Sequence, residues 1–185
     1  MTLAAGVALA LLAASPSARV ETDKGAFVIR LRSDLAPRHV AHFLKVAKAG
    51  GFDKTTFHRI VPGGIIQGGD PLSKDPKKAS VYGTGGLGLL KAEFSAEPMK
   101  RGVVAAVLRP SSKDSAGNQF FICLSDQDAL TGKFTIFGEV ESGMDVVDAI
   151  GKTAVAGDKA TERVEIRSVA VEAAASPASP ASPAP

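Results

Sequence analysis
Apolar residues recur along the chain with two periods, and the periods sort it into elements. Val20-Glu-Thr22 and Ala26-Phe-Val-Ile-Arg-Leu31 flank Asp23-Lys24-Gly25, the pattern of two strands joined by a three-residue hairpin loop in which Gly25 takes a positive φ. After Asp34-Leu-Ala-Pro37 the spacing changes. Val40, Phe43, Leu44 and Ala47 fall at i, i+3, i+4 and i+7, one face of a helix with Pro37 in its first turn and Gly50-Gly51 as its stop. Short strands are predicted over 56–61 and 64–67, joined through Pro62-Gly63, and over 102–108, 119–124 and 134–140. Residues 71–98 read as loop, 144–150 as a short amphipathic helix, and 164–171 as an alternating strand that closes the sheet. Many short strands with few helices predict an antiparallel barrel, which removes exposed sheet edges.

The two ends lack this patterning. Residues 1–18 carry no charged side chain, and Leu3 to Ala14 has the length of a signal-peptide apolar region. Small residues follow at Ser15, Ser17 and Ala18, although no Lys or Arg precedes the run. The expectation is a signal peptide or apolar leader over 1–18 and a periplasmic or secreted protein, with a cytoplasmic one as the alternative. Residues 173–185 repeat Ser-Pro-Ala, offer no large apolar group to bury, and are expected to form a disordered tail. That leaves one domain, 19–172, consistent with a chain of 185 residues.

Composition narrows the classes. No apolar run reaches the ~18–20 residues of a membrane span. The net charge is +3 without a long basic block, so a nucleic-acid partner is not expected. A single cysteine excludes an intrachain disulfide framework and a Cys-rich metal site.

In Phe57-His58-Arg59-Ile60-Val61, strand alternation puts Phe57, Arg59 and Val61 on one face and His58 and Ile60 on the other. An arginine among apolar neighbours either snorkels at a strand end or turns its donors into a groove. The next strand places Ile65 and Gln67 on one face, and Gln119, Phe121 and Cys123 share a face further on. Aligned, these strands bring together a guanidinium, two amides and an apolar surface, which suits an extended peptide. No nucleophile–base pair is evident. Gly83-Thr-Gly-Gly-Leu-Gly88 lacks the Lys-Ser/Thr of a phosphate loop and reads as structural. His39 and His42 lie three apart on the first helix without a fixed third ligand, so no metal is expected. Cys123 reads as an inert buried thiol, Asp126 and Asp128 as a turn, and Lys74, Lys77 and Lys78 as a solvated loop.

Phe57-His-Arg-Ile-Val-Pro-Gly63, Gln67-Gly-Gly-Asp70, Gly83-Thr-Gly-Gly86, Gln119-Phe-Phe-Ile-Cys123 and Leu130-x-Gly-Lys-Phe-x-Ile-Phe-Gly138 occur in this order. Over residues 20–171 the chain resembles a cyclophilin-type peptidyl-prolyl cis–trans isomerase of bacterial style. The resemblance implies a mainly β fold, a closed eight-stranded antiparallel β-barrel capped by two α-helices, with a groove on its outside. It implies Arg59 as the catalytic residue and Phe57, His58, Ile65, Gln67, Leu108, Arg109, Gln119, Phe121, Leu130 and Phe134 as substrate-binding residues. The implied partners are proline-containing unfolded or flexible polypeptides, the implied work is assisting folding as a monomer, and no cofactor is implied. The alternative is a catalytically weak proline-peptide-binding chaperone or assembly module. Gly64 stands where an aromatic often walls the proline pocket, and Ala129 where cyclosporin-sensitive members carry Trp, so weak cyclosporin binding is expected.

Overall fold
Antiparallel strand pairing organises the computed structural model, which describes residues 15–172. The strands are β1 (Ser17–Thr22), β2 (Gly25–Leu31), β3 (Phe57–Val61), β4 (Ile65–Gly68), β5 (Val103–Ala106), β6 (Phe120–Cys123), β7 (Ile136–Ser142), β8 (Val155–Ala156), β9 (Lys159–Ala160) and β10 (Ile166–Glu172), with helices α1 (Pro37–Lys48) and α2 (Met144–Gly151). Their order in the sheet is β10-β1-β2-β7-β5-β6-β4-β3-β9-β8. The eight longer strands, from β10 round to β3, make the wall of the barrel. Its seam lies where β3 meets β10. Thr56 and Glu165 form a bridge there, the Phe57 amide donates to the Val164 carbonyl at 2.9 Å, and the Ile166 amide donates to that of Thr55 at 2.8 Å. The β8–β9 hairpin hangs outside the ring, joined to β3 through the pair Arg59–Lys159.

The interior is filled from every side. Phe27, Ile29, Phe57, Ile60, Ile66, Phe120 and Ile122 are each at most 1% exposed. Phe57 and Phe120 meet edge to face, with ring centres 6.0 Å apart. Helix α1 presents the predicted face: Val40, Phe43 and Ala47 are buried, and Phe43 packs 4.9 Å from Phe52 and 5.5 Å from Phe137. Pro37 opens this helix, but Ala36 offers no capping side chain. The carboxylate of Glu93, far along the chain, accepts from the amides of Arg38 and His39 at 3.2 and 3.0 Å. An anion there satisfies first-turn donors and opposes the positive helix end.

Two local expectations are corrected. The β1–β2 loop has two residues, Asp23 and Lys24, because Gly25 already pairs with Thr22. Its φ of 125° supplies the positive value the turn needs. The alternation in β3 also breaks. Phe57 pairs with Gly68 and Arg59 with Gln67, so two steps on β3 match one on β4 and His58 is the extra residue of a bulge. Phe57 therefore enters the barrel together with Ile60, while Arg59 and Val61 face outward. The segment read as loop holds 3-10 turns at Pro71–Lys74 and Pro76–Val81. The tail 173–185 and the apolar run through residue 14 lie outside the described residues. Strand β1 begins at Ser17, within the stretch read as a leader, and Ala18 is fully buried.

Candidate active site
The outer face of β5, β6 and β7 carries a second apolar layer. Met99, Val103, Ala105, Phe121, Cys123 and Ile136 are buried there beneath Leu35, Ile65, Val107, Leu130 and Phe134. This layer does not close completely. A cavity of about 330 Å³ opens between Ile65, Phe121, Leu130 and Phe134, with Arg59, Gln67 and Leu108 on its rim. Phe121 and Phe134 meet edge to face at 5.2 Å and 88°, which fixes two walls at right angles. Val61, Gly64, Val107 and Gln127 also line it. Of these the sequence singles out Gly64 and places Val61 on the face of Arg59, whereas Val107 and Gln127 carry no signal. Gly64 adds no side chain to this lining, and a Cβ there would meet the Val61 side chain at 3.0 Å.

A row of hydrogen bonds runs along one edge. Arg59 Nε donates to Asp158 Oδ2 at 2.6 Å, and its Nη1 donates to Gln67 Oε1 at 3.3 Å. Gln67 Nε2 donates to Gln119 Oε1 at 3.0 Å, and Gln119 Nε2 donates to the Gly85 carbonyl at 2.7 Å. Register explains the contacts. Arg59 and Gln67 are direct partners across β3–β4, and Gln67 and Phe121 across β4–β6. Gly85 is held by Asp70, a fully buried carboxylate that accepts from the amides of Leu72, Gly83 and Gly85. The glycine-rich loop thus gives its amides to protein groups and acts as a structural brace. Gly117 packs so closely on it that a Cβ would overlap the Gly86 carbonyl.

The predicted site residues fall into three places. Arg59, Ile65, Gln67, Leu108, Phe121, Leu130 and Phe134 meet at the cavity. Gln119 is 1% exposed and stands behind Gln67 as its support. Phe57, His58 and Arg109 are not among the cavity's walls. Phe57 belongs to the barrel interior through the bulge. His58 is buried against Tyr82, and burial holds its imidazole below the usual value, favouring the neutral form. Arg109 lies over the glycine-rich loop: its amide donates to Ser115 Oγ at 2.7 Å and its Nη2 to the Leu87 carbonyl at 3.3 Å. The residue that sequence reasoning missed is Asp158. It sits in the turn between two-residue strands, too short to show a period. The guanidinium of Arg59 beside it holds its carboxyl below the ordinary range.

The other candidate groups are occupied elsewhere. His39 Nδ1 meets Glu93 Oε2 at 2.5 Å, whereas His42 Nε2 meets Asn118 Oδ1 at 2.9 Å. Among the described residues no three His, Cys, Asp or Glu side chains gather as a metal site. Burial pushes the Cys123 thiol up to about 12. Asp126 accepts from the Arg101 amide at 3.0 Å and from Lys100 Nζ at 2.9 Å, tying a turn.

Residues 17–171 match the model of a family described as cyclophilin type peptidyl-prolyl cis-trans isomerase/CLD. The chain belongs to the cyclophilin-type isomerases. A "Probable peptidyl-prolyl cis-trans isomerase" of Brucella suis biovar 1 is 40% identical over 159 residues, covering 82% of this chain and 81% of the relative. A peptidyl-prolyl cis-trans isomerase of Arabidopsis thaliana is 35% identical over 136 residues, 74% of this chain and 80% of its own. The same fold is seen in the crystal structure of a Cryptosporidium parvum cyclophilin type isomerase, with a TM-score of 0.77 at 23% identity over 85% of this chain and 98% of that one. A second crystal structure of that protein was obtained in the presence of the dipeptide Ala-Pro, with a TM-score of 0.76 at 24% identity over 84% and 98% of the two chains. The eight-stranded cyclophilin barrel and its two helices are therefore the fold of this chain.

Proposed function
We propose that this cyclophilin accelerates X–Pro rotation by holding the proline ring in the cavity beside Phe121 and stabilising the twisted amide through Arg59. Rotation about a peptide bond faces a barrier of ~18–20 kcal/mol, because resonance stiffens the C–N bond. In the twisted state the proline nitrogen regains its lone pair and can accept a hydrogen bond. A donor that engages it there, and not in either planar state, lowers the barrier. The observation that carries the reading is the anchoring of Arg59. Of a guanidinium's five N–H groups, Nε and one on Nη1 are taken by Asp158 and Gln67, which orients the others at the rim of an apolar cavity. Ile65, Phe121, Leu130 and Phe134 would immobilise the ring while the flanking chain turns. A ~10⁵-fold acceleration asks for about 7 kcal/mol, within reach of one charged donor in a partly desolvated site.

Gly64, which lines the cavity without a side chain, and the exposed Ala129, standing where related sequences carry bulkier residues, support a second reading, a binder of proline segments with weak turnover. Ala129 in place of the Trp of cyclosporin-sensitive members supports weak cyclosporin binding. For its place of work we propose export, with processing ahead of the buried Ala18. N-terminal sequencing of protein from the native host reports it, and a retained Met1 would overturn it.

Magnetisation-exchange NMR on a short Ala-Pro peptide tests the enzymatic reading. Fast exchange with the natural protein that largely disappears with Arg59→Ala is expected. Equal acceleration by both would remove Arg59 from its role, and none by the folded natural protein would leave the binder.

A further inference from the structure
Arg59 stands between two cavities. The second, of about 490 Å³, shares Arg59 and Gln67 with the proline cavity and continues away from it. One wall comes from the segment holding Pro76, Ala79 and Tyr82, the other from the β8–β9 hairpin and the residues just after it, and Phe57 and His58, expected from the sequence at the substrate site, line it between them. Neither segment lines the proline cavity, although Asp158 of the hairpin also anchors Arg59.

Charge singles out one residue there. Arg59 of β3 and Lys159 of β9 are direct antiparallel partners, so their side chains leave the sheet on the same side. Like charges directly opposite each other disfavour a strand pair. One carboxylate lies beside them, Asp158, and Arg59 engages it at 2.6 Å. The other charged groups on these walls are matched. Glu162 pairs with Lys24. Arg163 pairs with Glu165 at 3.0 Å and donates to the carbonyls of Ser73 and Lys54 at 2.8 and 2.6 Å. Among the described residues Lys159 makes no ion pair and no side-chain hydrogen bond, and it is exposed. Lys77 and Lys78, exposed on the opposite wall segment, extend the same sign of charge. The cavity mouth next to the catalytic arginine therefore carries an uncompensated positive charge over partly apolar walls.

We propose that this cavity is a second substrate subsite, which takes a residue with a carboxylate side chain flanking the proline and recognises it through Lys159. The inference rests on the isomerase reading and concerns which polypeptides it serves. The apolar wall at Pro76 and Ala79 takes the methylene stem of a Glu, and the ammonium of Lys159 takes its carboxylate. Asp158 does not repel it, because Arg59 already neutralises that group. Occupying the subsite holds one side of the X–Pro bond still and leaves the rotation itself to Arg59.

The test uses peptides with Glu, Gln or Lys placed in turn at each position within three residues of the proline. Exchange is measured by NMR with the natural protein, Lys159→Met and Lys159→Glu. The readout is the ratio of kcat/KM for the Glu peptide to that for its Gln counterpart, which cancels any loss of folded protein. At one or more positions the natural protein should favour Glu by about two- to fivefold, the scale of an exposed ion pair. The preference should sit in KM and fade in ~1 M salt, where screening acts within roughly 3 Å. Lys159→Met should abolish it and Lys159→Glu should turn it towards Lys. A Glu-to-Gln ratio of one at every position overturns the subsite, as does a preference that Lys159→Glu leaves unchanged. The Gln peptides report separately on the isomerase reading. Acceleration without charge dependence removes the subsite alone, and no acceleration of any peptide removes both.

Discussion
Strands β3, β4 and β6 have two faces that serve opposite ends. On the inside, Ile60, Ile66 and Ile122 meet Phe57 and Phe120 in a space closed on every side. On the outside, Phe121 and Cys123 are almost as buried, yet the layer above them stops short and leaves the cavity beside Phe121. The inner face holds itself together by packing alone. The outer face places a polar row, Arg59–Gln67–Gln119, beside an apolar floor, and each member is held by another part of the chain. Substitutions inside should therefore cost stability, and substitutions outside should cost turnover.

The largest effect expected on this contrast is Phe120→Ala. It removes a fully buried ring that touches Phe43, Phe52 and Phe57, and should lower unfolding free energy in urea by about 3–5 kcal/mol. An unchanged midpoint would show that the interior is not the stabilising face. Next is Arg59→Ala, which should lower kcat/KM by about 10²–10³-fold, the scale of deleting a transition-state donor, with little change in that midpoint. Asp158→Ala should lower kcat by about two- to fivefold with KM held, because the ion pair is half exposed. Asp158→Asn, whose amide oxygen still accepts from Nε, should recover most of the loss, and a loss appearing in KM alone would refute the orienting role.

A smaller effect is expected from pH. His58 titrates below its ordinary 6.5 because burial disfavours the imidazolium. Above pH 6.5 both folded and unfolded forms are neutral, and its contribution is complete. As pH falls below 6.5 the unfolded chain takes up the proton first, so stability declines towards the lowered folded value. The melting temperature should fall on acidification from about pH 7 to 5, less steeply in His58→Gln. His39, lowered by burial in the same direction, keeps the slope from vanishing. The smallest effect is a null one. The fully buried Cys123, its thiol pushed up to about 12, should not react with a thiol reagent until the protein unfolds. Rapid labelling of the native protein would mean that the outer layer opens.

Much of this was legible in local pattern. The i, i+3, i+4, i+7 spacing identified α1, because a helix with one buried face must repeat that way. The alternation in 64–67 and 119–124 grouped Ile65 with Gln67 and Gln119 with Phe121 on shared faces, without saying which face was the outer one. The bulge at His58 was not legible, since it depends on how β3 registers against β4. Nor was the β8–β9 hairpin, whose strands of two residues are too short to carry a period. Asp158 and Lys159 lie in it, so the partner of Arg59 and the charge of the second cavity were both hidden.

The sequence by itself determined which residues could form a barrel and which motif residues of an isomerase were present, because periodicity and residue type are properties of neighbours along the chain. Tertiary structure decided which way Phe57 and Arg59 point, what holds the guanidinium, and where an unpaired charge is left. Those depend on strand register and on contacts between residues as far apart as Arg59 and Asp158, which no local preference encodes.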